Sequence, residues 1–139
     1  MRVSGTQSWN DRVIAEFREN GGRTGQWGRA LVLLHHVGAK TGTARIAPVM
    51  SFRTSDDGWL IVASKAGAPE HPAWFHNLLA HPDVEIETAD DGTVAVRASV
   101  LEGPERDEAW ERITAKAAGF ADYQAKTSRT IPVVKLTRR

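Results

Sequence analysis

The 139-residue chain has no cysteine. That excludes a disulfide framework, a thiolate nucleophile and a cysteine metal site. Tyrosine is nearly absent as well: Tyr123 is the only one, so phenol chemistry has a single address. No apolar run approaches the roughly 20 residues that a bilayer-spanning helix needs. The N-terminal stretch MRVSGTQSWN lacks a signal-peptide pattern, which predicts a cytoplasmic protein. Neither sign of charge is in excess. Lys and Arg number 18 against 17 Asp and Glu, a formal net charge of +1, so no nucleic-acid partner is expected.

Familiar catalytic motifs are missing too. There is no G-x-S-x-G elbow, and Ser64 ends a strand between Ala63 and Lys65 without the neighbours of a nucleophilic serine. There is no H-E-x-x-H. His71, His76 and His81 recur every five residues, which on a helix turns each about 140° from the last. His35 and His36 are adjacent in a strand and point to opposite faces. No metal site is expected.

What is present is a segregation of charge. Residues 21–69 hold six basic side chains, including Lys40, Arg45 and Lys65, against Asp56 and Asp57. Residues 70–111 hold eleven acids against Arg97 and Arg106, and from Arg112 onward seven basic residues face only Asp122. A basic block of this kind can focus an anionic ligand, or be one of two solvated faces of opposite sign.

The patterning predicts a helix over 7–19, with Trp9, Val13, Ile14 and Phe17 on one face. A Gly-rich connection through residue 28 leads to strands over 30–37, 44–54 and 59–64, with Pro48 marking an edge, bulge or interruption in the second. A short helix is expected from Pro72 to Ala80, then a hairpin of VEIET and TVAVRASVL, helices over 103–119 and 120–128, and a last strand IPVVKL. Six short, mostly antiparallel strands joined by hairpin turns suggest a small barrel in a single domain, 1–139, whose first 29 residues are the helix and its connection.

Two loops follow strands in this order. GAKTG is close to a P-loop but lacks its first glycine and joins strand to strand. Gly38 and Gly42 would still let backbone N–H groups approach an anion, with Lys40 and Arg45 adding charge. The second loop, SKAGAPEHPAW, places small residues and Lys65 before a helix start. Ala66 and Gly67 remove bulk before a flat ligand, the helix start favours an anion, and Trp74 could wall a ring, with Asn77 on the same helical face. Alternatively, Trp74, Phe75, Leu78 and Leu79 plug a barrel end.

Three segments, GAKTGTARIAPV, VASKAGAPEHPAWFHNLLAHPDVEI and FADYQAKTSRTIPVVKL, together resemble the deazaflavin-dependent nitroreductase family, actinobacterial oxidoreductases that use coenzyme F420. The resemblance runs from about residue 30 to 137, and the middle segment is its most specific part. It implies an α+β fold, a split β-barrel of about six mostly antiparallel strands with flanking helices. It implies that Lys40, Thr41, Gly42 and Arg45 hold the coenzyme's phosphate and acidic tail, with Pro48 beside them. Ala63, Ser64, Lys65, Ala66 and Gly67 would lie along the deazaflavin ring, with Trp74 and Asn77 completing the pocket. Phe120 and Tyr123 would line the substrate side.

The implied activity is hydride transfer from reduced F420 to a small, apolar, electron-poor acceptor such as a quinone, enone or nitro compound, with Tyr123 as proton or hydrogen-bond donor. This chain departs from the family in having Ala39 for a basic residue, Ala66 for a glycine and Phe120 for a tyrosine. A flavin mononucleotide (FMN)- or haem-binding split barrel, or a non-enzymatic binding barrel, are the alternatives. A homodimer is compatible with the sequence. The stripe of the first helix admits peripheral membrane contact, since some family members act on quinones at membranes, or packing as a lid or core cover.

Overall fold

The computed structural model describes residues 5–25 and 27–139. Six strands close an antiparallel barrel in the order β1-β2-β3-β6-β5-β4. In chain order the elements are α1 (Gly5–Glu19), β1 (Leu31–Val37), β2 (Ala44–Arg53), β3 (Trp59–Val62), a 3-10 turn (Lys65–Gly67), α2 (Ala73–Ala80), β4 (Asp83–Thr88), β5 (Gly92–Val100), α3 (Gly103–Lys116), α4 (Gly119–Ala125) and β6 (Val133–Arg138). This is the α+β barrel expected from the strand pattern.

Strand alternation explains the continuous apolar runs. On β1, Val32 and Leu34 point into the barrel, while Leu31 and Leu33 pack outward under Val13 and Phe17 of α1. On β3, Trp59 and Ile61 face inward, and Leu60 and Val62 face out against Ala109 and Ile113 of α3. Strands covered on both faces have no polar side to show. The β4–β5 hairpin needs only one covered face, and its Val94 and Val96 alternate inward. One end of the barrel is stopped by Phe75 and Leu78 of α2.

The burial of Val13 and Phe17, 6% and 4% exposed, assigns the stripe of α1 to the barrel rather than to a membrane surface. Trp9 stays exposed, edge-on to Trp27 with ring centroids 5.6 Å apart. Among the described residues no helix is long and apolar enough to cross a membrane.

β2 is where the barrel opens. It pairs with β1 along Ala44–Met50, but with β3 only at Ser51–Arg53. Residues 44–50 therefore have a free edge on one side. Pro48 sits in this stretch, in register with Leu33 and without breaking the strand. An unpaired edge tolerates the missing N–H of proline.

The charge blocks of the sequence meet around the barrel. Arg53 and Arg138 reach Asp91 at 2.8 and 2.6 Å, Arg97 reaches Asp83 at 2.6 Å, and Arg29 pairs with Asp90. These pairs are largely exposed and individually weak. They do, however, use up much of the acidic block. Among the described residues, Lys40 and Arg45 form no carboxylate ion pair.

Candidate active site

A wide groove of about 1740 Å³ runs over the outer face of β2, with Ile46, Pro48 and Met50 as its floor. One wall comes from α1 and the connection after it, through Trp9, Ile14 and Trp27. The other wall comes from Phe120 and Tyr123 of α4 and from Ser64, Lys65 and Ala66. Arg45 and Trp74 also line it, with the α2 start at Pro72 and Ala73. Lys40, Thr41, Gly42, Ala63, Gly67 and Asn77 are not among its lining residues. Lys40, Thr41 and Gly42 are exposed on the β1–β2 turn, and Ala63 is fully buried in the barrel core.

The β1–β2 turn is stitched internally. The Gly38 N–H donates to Thr43 O, the Gly42 N–H to Gly38 O, and the Thr43 N–H to Thr41 Oγ1, at 2.9, 2.9 and 3.2 Å. The Ala39 N–H donates to Asn77 Oδ1 at 2.9 Å. Four of the turn's N–H groups, those of Gly38 and Gly42 included, are thus already used. What the turn offers is charge, through Lys40 and, just beyond it, Arg45.

Asn77 is engaged in the same way. Its helical spacing from Trp74 suggests a shared pocket face, but Asn77 is buried, 7% exposed, and reaches the β1–β2 turn. Its Oδ1 accepts from Ala39, so its Nδ2 faces His36 Nδ1 at 2.9 Å and donates to it. His36 is 6% exposed and carries its own proton on Nε2. Burial, then the charge of Arg45 and then His35, push its pKa down to about 4. His35, on the opposite face, meets Glu87 at 2.7 Å, and Glu87 also receives Arg18 of α1 at 2.7 Å.

The loop after β3 has an unusual backbone. Lys65, Ala66 and Gly67 are successively left-handed, with φ of 45°, 54° and 82°. Two of them carry side chains, for which this region is costly. Lys65 Nζ meets Glu70 Oε1 at 2.8 Å, so its charge is not free. Gly67 backs onto α4. Pro72 caps α2 rather than opening it, and its carbonyl accepts from the Phe75 N–H at 3.0 Å.

His71 precedes α2, so helical spacing does not govern it. Its ring lies 5.7 Å from that of His76, nearer than their separation predicts. Among the described residues no group of three His, Cys, Asp or Glu side chains could hold a metal.

Phe52, Phe120 and Tyr123 form an edge-to-face chain, with centroids 6.1 and 5.9 Å apart. The Tyr123 ring also lies 5.7 Å from Lys126 Nζ. The site is therefore a groove with aromatic and apolar walls, a strained small-residue loop on one side and the Arg45 cation on its floor strand.

A six-stranded barrel opened at one strand edge, with such a groove over the opening, defines a split barrel. The chain matches the family model for F420H(2)-dependent quinone reductase over residues 9–138 and belongs to that family. An F420H(2)-dependent quinone reductase of Mycobacterium tuberculosis is 42% identical over 111 residues, covering 78% of this chain and 73% of its own. A solved F420-H2 dependent reductase is 37% identical, with a TM-score of 0.70, over 78% of this chain and 94% of its own. A solved structure described as a domain-swapped dimer is 33% identical, with a TM-score of 0.72, over 94% of this chain and 98% of its own.

The enzyme is an F420-dependent oxidoreductase. The FMN alternative has no support in the family, and a haem storage protein from Vibrio cholerae at 16% identity shares the fold alone.

Proposed function

We propose that the protein reduces a small, apolar, electron-poor acceptor, a quinone in the first instance, at the expense of reduced coenzyme F420. The observation that carries the proposal is the groove over the open edge of β2, aromatic and apolar on its walls and cationic at Arg45. The residues suit a long ligand with a flat head and an anionic tail. When bound, the reduced deazaflavin supplies the hydride.

The chain supplies placement. Ser64, Lys65 and Ala66 offer a low wall for the ring, and Trp74 a flat flank. Arg45 and Lys40, unpaired by carboxylates, attract the phosphate and acidic tail. Ala63, Gly67 and Asn77 act behind the surface, and Thr41 and Gly42 shape the exposed β1–β2 turn, so that the two loops keep their form. Phe120 and Tyr123 face the acceptor, with Pro48 beneath. The Tyr123 hydroxyl has no protein partner among the described residues and can donate to the acceptor oxygen. The acceptor class rests on the apolar walls and on the relatives being quinone reductases. A homodimer is in keeping with the domain-swapped neighbour.

The test is a titration of purified protein with F420 and, in parallel, FMN, followed by turnover with a quinone, an enone and a nitroaromatic. Saturable F420 binding and fastest turnover with the quinone support the proposal. Preference for FMN, or F420 binding with no quinone turnover, rejects it.

Three substitutions refine it. Removing charge at Arg45 and Lys40 should raise the F420 Kd about twofold to fivefold each at low salt, less at high salt, because exposed contacts are weak and screened. A Kd that does not change with salt in either protein would reject tail binding here. Tyr123→Phe should lower kcat by about a hundredfold, the low end of what one positioned proton donor contributes, while F420 affinity stays within about twofold. Unchanged kcat would remove Tyr123 from that role.

A further inference from the structure

Arg129 lies between α4 and β6, in the third of the segments that resemble the family, and nothing in the proposed chemistry uses it. Its guanidinium is spent on one short segment. Nε donates to Ala68 O at 2.9 Å and Nη2 to Ser64 O at 2.8 Å. Nη1 donates to Ala63 O at 3.2 Å and to His71 Nδ1 at 2.9 Å. Four of the five N–H groups therefore hold acceptors between residues 63 and 71. The three carbonyls bracket the left-handed run Lys65-Ala66-Gly67. Such a run persists only where its surroundings over-determine it. A planar, five-donor fork can span several carbonyls at once, which an ammonium cannot.

The arginine has no carboxylate within ion-pair distance among the described residues, unlike Arg53, Arg97 or Arg138. Its hydrogen-bond partners are neutral, and its charge is felt by the nearby Glu70 carboxylate, which Lys65 already pairs. His71 accepts through Nδ1 and is therefore unprotonated there. Burial first, then Arg129 and His76, lower its pKa, in keeping with that neutral ring.

We propose that Arg129 is a positioning residue for coenzyme binding. Its guanidinium fixes Ser64–Ala68 in the left-handed arc that turns Ser64, Lys65 and Ala66 toward the groove, and leaves a fixed positive charge behind that arc. This rests on the F420 site proposed above, and it links the second and third family-like segments, which are otherwise far apart in the chain.

The test compares the wild-type chain with Arg129→Ala and Arg129→Lys. F420 affinity is measured by titration, and amide hydrogen exchange is measured without coenzyme. In Arg129→Ala the F420 Kd should rise at least tenfold. The Gly67 and Ala68 amides, which donate to Ser64 O and Lys65 O at 2.9 and 3.0 Å, should exchange at least tenfold faster while strand amides keep their protection. Added ethylguanidinium should restore much of the affinity. Arg129→Lys should behave like the alanine variant, and it serves alone if that variant does not fold.

Wild-type Kd and unchanged exchange at 67–68 would overturn the proposal. So would a loss of protection spread evenly over the barrel, which marks a merely structural arginine. If the wild-type chain itself fails to bind F420, the proposed function falls, while exchange at 67–68 still decides whether Arg129 holds the loop.

Discussion

Gly67→Ala is expected to cost the enzyme most of its coenzyme binding and about 2–4 kcal/mol of stability. Two independent obstacles meet at this position. The backbone has φ of +82°, where a side chain is strained. An added Cβ would also lie 2.7 Å from Tyr123 O, 3.2 Å from Tyr123 Cα and 3.1 Å from Lys126 Cβ. Tyr123 presents backbone, which cannot swing aside as a flexible side chain can. Either the loop lifts or α4 shifts. The first moves Ser64, Lys65 and Ala66, and the second moves Phe120 and Tyr123, so both walls of the groove are exposed to the change.

Gly42→Ala is the matched control. Its φ is +70°, but nothing lies within 4 Å of the added Cβ, so only the conformational cost of about 1 kcal/mol applies. Thermal midpoints and F420 titrations of the two variants measure the difference. Similar losses in both would show that close packing against α4 does not matter, and would sink the account of Gly67.

The contrast between those two glycines marks where sequence reading stops. Both look alike in the sequence, each in a loop after a strand. Only the fold brings α4, more than fifty residues on, against one of them. The barrel itself was legible because alternation and apolar runs are local. VEIET and TVAVRASVL paired as a hairpin because their inward residues and turn are adjacent in the chain. LVLL read as buried because both of its faces are covered. Pro48 announced an edge, bulge or interruption, and in the structure it lies on the free edge under the groove.

Long-range hydrogen bonds left no such trace. Asn77 sits one helical turn from Trp74, and periodicity put both in the pocket, yet its amide is spent on Ala39 and His36 nearly forty residues upstream. Arg129 reads as one more basic residue of the tail until four acceptors some sixty residues away close around it. Lys65 reads as a free cation, because nothing in the spacing says that Glu70 will fold back on it. Motif resemblance singled out the two loops, but it could not say which members of each motif line the groove and which do not.

His36 provides the second large effect, in stability against pH. Its ordinary pKa of 6.5 falls to about 4 in the folded chain. Between those values the unfolded chain binds a proton that the folded chain refuses. Stability therefore rises with pH through this window and is lost as pH falls from about 6.5 toward 4. The span corresponds to at most about 3 kcal/mol. His71, lowered by burial, Arg129 and His76, acts in the same direction.

Glu87 is held down chiefly by Arg18, and Asp83 chiefly by Arg97. Their contributions are present above their ordinary values of 4.5 and 3.8 and are lost as pH falls through their still lower folded values. The histidines therefore govern the first part of the acid limb. Denaturant unfolding at pH 7.5, 5.5 and 4.5 should show this loss in the wild-type chain and a shallower one in His36→Gln, whose amide oxygen can still accept from Asn77. Equal slopes in the two proteins would show that His36 titrates normally.

The same proton reaches the site. Charging His36 turns Nδ1 from acceptor to donor, so the Asn77 amide can no longer satisfy both His36 and Ala39. The β1–β2 turn that carries Lys40 then loses its tie to α2. F420 affinity should accordingly weaken near pH 4.5, before the barrel unfolds, and weaken less in His36→Gln.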